Sequence, residues 1–191
     1  YTLGFAPPIS VGDMFVCMGS SASASGGAAV ATGKKIVAFI GDSTFFHSGM
    51  SGLANTLRQN RNVTLIVLDN MTTGMTGHQP HPGSYVPGAE TPPLSIEKIV
   101  RGMGVKNLAI INPKDMGKSM VEARAVIETE GPGVIISKSP CPMYDRKVLK
   151  TATLRGLFGS LVLVRTNAKL GRYDVVDLAG GPSVRVNVPV A

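Results

Sequence analysis

Apolar positions in this chain come in short blocks separated by turn-forming residues. Residues 35–40 (KIVAFI) form a continuous apolar run ending in Gly41-Asp42-Ser43, and residues 63–68 (VTLIVL) form a second, ending in Asp69-Asn70. Runs of this length and flanking predict strands buried on both faces of a parallel sheet. Between them, residues 48–60 carry Met50, Leu53, Ala54 and Leu57 at helical spacing. A long Gly/Pro/Thr/His loop follows, from Met71 to about Pro93. Ser95 with Lys98 makes an imperfect helix start, and Ile96, Ile99, Val100 and Met103 give that helix an apolar face. Residues 108–111 predict a third strand, and residues 115–130 a helix with Met116, Met120, Ala123 and Ile127 as its stripe. Residues 134–137 predict a fourth strand. Upstream, residues 19–33 (GSSASASGGAAVATG) are all small except for one Val, and two readings stand. They form a closely packed helix, or a backbone that must approach a ligand.

This order of elements predicts an α/β fold, a mostly parallel sheet with helices on both faces. Ligands in such folds sit beyond the carboxyl ends of the strands, where Gly41-Asp42-Ser43 and Asp69-Asn70 both fall. From Thr151 the texture changes to Val, Arg and Gly, read as short strands and turns. The expected organisation is therefore a domain over residues 1–150 and an unassigned appendage over residues 151–191.

Composition narrows the picture. With 43% hydrophobic residues in 191, the chain is neither disordered nor too short for a core. No apolar run approaches the roughly 18–20 residues that span a bilayer, so no membrane partner is expected. The sequence opens at Tyr1 with no Met and no secretory leader, and reads as a piece of something longer. The net charge of +7 comes from nineteen scattered basic residues without interleaved aromatics. That pattern argues against nucleic acid and suits a polyanionic small ligand. Cys17 and Cys141 are too few for a disulfide framework or an iron–sulfur cluster, and read as reduced thiols of a cytoplasmic protein.

The candidate chemistry lies at the two strand ends. Asp42 and Asn70 are 28 positions apart, room for one crossover helix and one strand. Two adjacent parallel strands would then present a carboxylate and an amide oxygen side by side. Both are hard donors of the kind Mg²⁺ or Ca²⁺ selects, and Mg²⁺ prefers few protein ligands with phosphate oxygens and water. Gly41, Ser43 and Thr44 add N–H groups and hydroxyls at a turn opening a helix, an anion cradle. The plainer readings are a helix cap for Asp42 and a turn residue for Asn70. Each His of His47, His78 and His81 reads first as a structural hydrogen-bonder. As proton shuttles, His47 has proximity to the phosphate turn in its favour, and His78 its place in the long loop.

The stretch Gly41-Asp42-Ser43, followed after 25 residues by Asp69-Asn70, resembles the thiamine-diphosphate motif usually written GDG…NN. More narrowly, GDSTFFHSG (41–49) and DNMTTGMTGHQPHPG (69–83) resemble the alpha subunit of indolepyruvate:ferredoxin oxidoreductases. The opening YTLG with its early proline pair, and CMGSSASAS around Cys17, fit the same family. The resemblance covers about residues 1–150. It implies that Asp42, the Asn70 side chain and the backbone carbonyl of Thr72 bind Mg²⁺, and that Gly41, Ser43 and Thr44 hold the diphosphate. It implies also that Gly19 and Ser20 come against the cofactor, and that Met75 and Thr76 pass near its thiazolium and pyrimidine. The implied enzyme decarboxylates arylpyruvates such as indolepyruvate, passing the acyl group to coenzyme A and electrons through iron–sulfur clusters to ferredoxin. The pyrimidine-binding and cluster-bearing regions of that subunit, and the second subunit, would be separate from this chain. A non-oxidative thiamine-dependent decarboxylase and a non-catalytic cofactor-binding module are the alternatives.

Overall fold

A computed structural model describes residues 6–86 and 89–143 in full and three later strands as backbone. The Tyr1–Gly4 opening and the expected boundary near residue 150 lie outside the described residues. The chain forms two compact units, Tyr1–Cys141 and Pro142–Ala191. In the second, strands β5 (Val162–Asn167), β6 (Arg172–Asp177) and β7 (Val184–Asn187) pair antiparallel in sequence order.

The first unit is built on four parallel strands, β1 (Ile36–Gly41), β2 (Val63–Asp69), β3 (Asn107–Ile111) and β4 (Gly133–Lys138), in the order β1-β2-β4-β3. Its helices are α1 (Ser21–Thr32), α2 (Asp42–Thr44), α3 (Met50–Arg58), α4 (Ile96–Gly102) and α5 (Met116–Glu128). The register aligns Ala38 with Leu65, Leu65 with Val134, and Val134 with Leu108. These residues join Ile40, Val67 and Ile136 in one core with Ala22 of α1, Phe45, Leu53 of α3, and Ile96 and Val100 of α4. On the other side of the sheet, α5 lays Val126 against β4, where a Cβ on Gly133 would stand 2.8 Å from it. Helices thus occupy both faces. Among the described residues no helix is long and apolar enough to cross a membrane.

Three local expectations need correction. β1 is not buried on both faces: it is an edge strand, and Val37 and Phe39 are 37% and 43% exposed. Only the central strands β2 and β4 are covered on both sides through most of their length. The stripe of α5 is not the methionines. Met116 and Met120 are exposed, while Ser119 and Val126 are buried, because Ser119 Oγ donates to Asn112 O at 2.6 Å and pins that face inward. Ala54 is likewise exposed on α3, whose buried face is Gly52, Leu53 and Thr56.

Of the two readings of residues 19–33, the closely packed helix holds for Ser21–Thr32. A Cβ on Gly52 would lie 2.9 Å from Ala22 Cβ, so α1 and α3 touch almost backbone to backbone. Thr56 Oγ1 donates across that contact to Ala22 O at 3.2 Å. The helical chain after β1 begins at Asp42, earlier than expected, and runs through a π-helical turn at Phe45–Gly49 into α3. Such wide turns recur at functional sites.

Candidate functional site

Because β1 and β2 are parallel neighbours, Gly41 and Leu68 are register partners, and both strands release their chains on the same edge. Asp42 follows β1 directly and is 2% exposed. Its Oδ1 accepts from Ser43 N at 2.7 Å, and its Oδ2 accepts from Asn70 N at 3.0 Å. The carboxylate therefore bridges the two strand ends. The chain after β4 runs beside the same edge, with Ser139 N donating to Asp69 O and Cys141 N to Asn70 O.

The loop after β2 is short-range structure rather than slack. Asn70 Oδ1 accepts from Thr72 N at 3.1 Å, and Thr72 O accepts from Gly74 N at 3.0 Å. Each of these oxygens keeps a second lone pair for a cation. Met71 and His78 adopt left-handed backbone, φ 64° and 67°, an uncommon cost for non-glycine residues that concentrates at functional loops. The loop narrows where Thr73 pairs with Gln79, and between these two it turns through a 3₁₀ segment, Gly74–Thr76. Thr73 Oγ1 donates to Ser43 Oγ at 3.0 Å, tying the loop to the turn after β1. Thr72 is 1% exposed, whereas Met75 at the tip is 79% exposed.

The candidate residues separate into groups. Gly41, Asp42, Ser43, Thr44, Asn70 and Thr72 come together at the strand ends. His78 and the Asn70 amide both flank Gly74, where a Cβ would lie 4.0 Å from His78 Nδ1 and 3.8 Å from Asn70 Nδ2. His47 is exposed on the π turn, its Nδ1 3.1 Å from Ser48 Oγ. Gly19, at φ 83°, packs on that same Ser48, whose Oγ a Cβ would strike. Ser20 Oγ donates to Cys17 O at 2.7 Å rather than capping α1. Met75 and Thr76 are at the exposed loop tip.

His81 stands against Asp42, with Nε2 3.1 Å from Oδ2 and both side chains 3% exposed. Sequence reasoning ranks it behind His47, nearer in sequence to the turn after β1, and His78; its partner Asp42 is 39 positions away and no periodicity links the two. The available signal was His81-Pro82-Gly83-Ser84, a compact turn. Its Ser84 donates to Met71 O at 2.8 Å and folds the turn back on the start of the loop. Asp69 was also missed. Burial first, and then the Asp42 carboxylate, push its carboxyl above the ordinary 3.8, with Lys138 acting the other way.

The donor set fits a divalent cation with a diphosphate. A buried carboxylate and a second raised one lie together, and among the described residues no Lys or Arg forms an ion pair with Asp42. No group of three or more His, Cys, Asp and Glu able to hold a metal occurs among the described residues. Amide, carbonyl and ligand oxygens would have to complete the shell, as Mg²⁺ prefers.

The fold and this edge define a cofactor-binding α/β domain, and the chain belongs to the thiamine pyrophosphate enzyme family, C-terminal TPP-binding domain, whose profile matches residues 2–137. Among curated relatives it is similar to the indolepyruvate oxidoreductase subunit IorA of Methanothermobacter thermautotrophicus, 45% identical over 78% of this chain and 24% of that protein. The IorA of Pyrococcus horikoshii is 38% identical over 75% of this chain and 24% of its own length. The chain thus spans about a quarter of the curated relatives it matches. In fold it is similar to a 2-oxoglutarate:ferredoxin oxidoreductase from Magnetococcus marinus, with a TM-score of 0.60 at 22% identity over 65% of this chain and 46% of that one.

Proposed function

We propose that this chain is the part of a 2-oxoacid:ferredoxin oxidoreductase that holds the Mg²⁺ and diphosphate of thiamine diphosphate. The substrates of the complete enzyme are arylpyruvates such as indolepyruvate, with aryl-acetyl-coenzyme A as product and ferredoxin as electron acceptor. The observation that carries the reading is the buried Asp42 carboxylate bridging the ends of β1 and β2 through Asn70 N. The resemblance to IorA subunits supports the choice of oxoacid.

In this reading Asp42, the Asn70 amide oxygen and the Thr72 carbonyl hold the metal. Gly41, Ser43 and Thr44 present the start of the helical chain to the diphosphate, where N–H groups and the helix dipole favour an anion. When bound, the cofactor supplies the carbon nucleophile and electron sink for cleavage at a 2-oxo carbon. His78, half-buried across Gly74 from Asn70, is the better placed of the two predicted histidines to hold a proton near the reacting groups, since His47 is exposed. His47, with Gly19 and Ser20, belongs to the rim where the segment before α1 meets the π turn. Met75 and Thr76 form an exposed tip suited to contact with the pyrimidine-binding region. That region, the iron–sulfur clusters and the second subunit are carried outside this chain, in the cytoplasm.

The test uses the complete enzyme. Asp42→Ala abolishes Mg²⁺-dependent binding of thiamine diphosphate in titration calorimetry, because the diphosphate then lacks its counter-ion. Asn70→Ala weakens binding less, since water replaces a neutral donor. Arylpyruvates should drive coenzyme A-dependent reduction of ferredoxin faster than 2-oxoglutarate does. Aldehyde release without coenzyme A would point instead to a non-oxidative decarboxylase.

A further inference from the structure

His81 is tied on three sides within its own turn. Its backbone N–H donates to Ser84 Oγ at 3.1 Å, its carbonyl accepts from Ser84 N at 2.8 Å, and its Nδ1 accepts from Gly83 N at 3.0 Å. An Nδ1 that accepts carries no proton, so the neutral ring carries it on Nε2. The ring lies on Phe46 with centroids 5.5 Å apart at 31°, and a Cβ on Gly83 would come 2.7 Å from Phe46 Cε2. Glycine at that position is what lets the aromatic ring reach the turn. Phe46 itself belongs to the π turn, two residues before Ser48. The helical segment that starts at Asp42 thus also supplies the surface against which His81 rests.

One polar atom of the side chain is left for another element. Nε2 makes no aligned hydrogen bond, is buried, and lies 3.1 Å from Asp42 Oδ2. That oxygen already accepts from Asn70 N. A second donor from His81 would occupy both of its lone pairs, while Oδ1, with Ser43 N alone, keeps one.

We infer that His81 is a positioning residue for the proposed metal site: its Nε2 edge, 3.1 Å from Asp42 Oδ2, sets the orientation of the carboxylate and leaves Oδ1 for the cation. The inference rests on the metal reading above and adds to it a residue outside the ligand set. Hydrogen-bonded partners of ligating carboxylates commonly set metal affinity, and their loss costs about 10–100-fold.

Two substitutions separate this role from a role in the turn. His81→Asn keeps an acceptor near the Nδ1 position for Gly83 N but is too short to reach Asp42. His81→Gln carries its amide N–H to about the place of Nε2 and gives up the Gly83 bond. The probe is Mn²⁺ with thiamine diphosphate in the complete enzyme, read as loss of the free-ion paramagnetic signal. The thermal midpoint without metal serves as the check on folding. His81→Asn should raise the Mn²⁺ dissociation constant about 10–100-fold, and His81→Gln should stay within a few-fold of the unsubstituted enzyme. The opposite order, or unchanged binding in His81→Asn, overturns the inference. Asp42→Asn run beside them identifies which claim has failed. If it loses Mn²⁺ while His81→Asn does not, only the role of His81 falls. If Asp42→Asn binds Mn²⁺ normally, the metal site is misplaced and the role of His81 falls with it.

Discussion

Asp69 shows how one residue can be shaped by a site whose proposed metal ligands are its neighbours. Its carboxyl is raised by burial and by Asp42, so the folded state holds the proton more tightly than the unfolded chain does. Stability contributed by the protonated form is complete below the ordinary value of 3.8 and is lost as pH rises through the raised folded value. Asp69→Asn should therefore leave the melting temperature almost unchanged below the carboxylate range and raise it at neutral pH without divalent metal. Equal effects at both pH values would contradict this assignment. Asp69 was legible only as the residue before Asn70. Its proximity to Asp42 depends on two strands lying side by side.

At the scale of elements, the close crossing of α1 and α3 explains a run of small residues that periodicity alone leaves ambiguous. Gly52→Ala gains about 1 kcal/mol of intrinsic helix preference. The added Cβ would meet Ser23 Oγ at 2.8 Å, Ala22 Cβ at 2.9 Å and Ser23 N at 3.1 Å. Overpacking of this kind costs about 1–3 kcal/mol, and two of these neighbours belong to the α1 backbone or its first side-chain carbon. Chemical denaturation should show a net loss in the variant. A more stable Gly52→Ala would mean that the helices separate at little cost. The same scale explains the α5 error. Methionine is as apolar as a core stripe requires, yet Ser119 finds a backbone acceptor in Asn112 O and takes the inward place. Local pattern cannot weigh a hydrogen bond to a preceding loop against a buried thioether.

For the whole molecule, the proposed division of labour has a direct consequence. If half of the cofactor pocket lies outside this chain, the isolated chain binds Mg²⁺–thiamine diphosphate weakly or not at all, and the pyrimidine-binding region supplied in trans tightens binding. Tight stoichiometric binding by the lone chain in calorimetry would contradict this. With Cys17 and Cys141 as its only thiols, one copy also cannot ligate a cluster that takes about four. Anaerobic reconstitution with iron and sulfide should leave it colourless and without a reducible cluster signal.

The four parallel strands, the helices between them and the pairing of Asp42 with Asn70 were all readable along the chain. Each depends on residues close in sequence or on a fixed strand–helix–strand interval. Blocks such as VTLIVL carry their own period, and turn residues mark where they stop. Strand order was different. Whether 35–40 lies at the centre or edge of the sheet is set by which neighbours it acquires, and its apolar run looks the same in either place. His81 makes the same point at the site. Its contact with Asp42 exists because Phe46, Gly83 and Ser84 fold a turn onto a strand end, and this sum of nonlocal contacts leaves no periodic mark in the sequence.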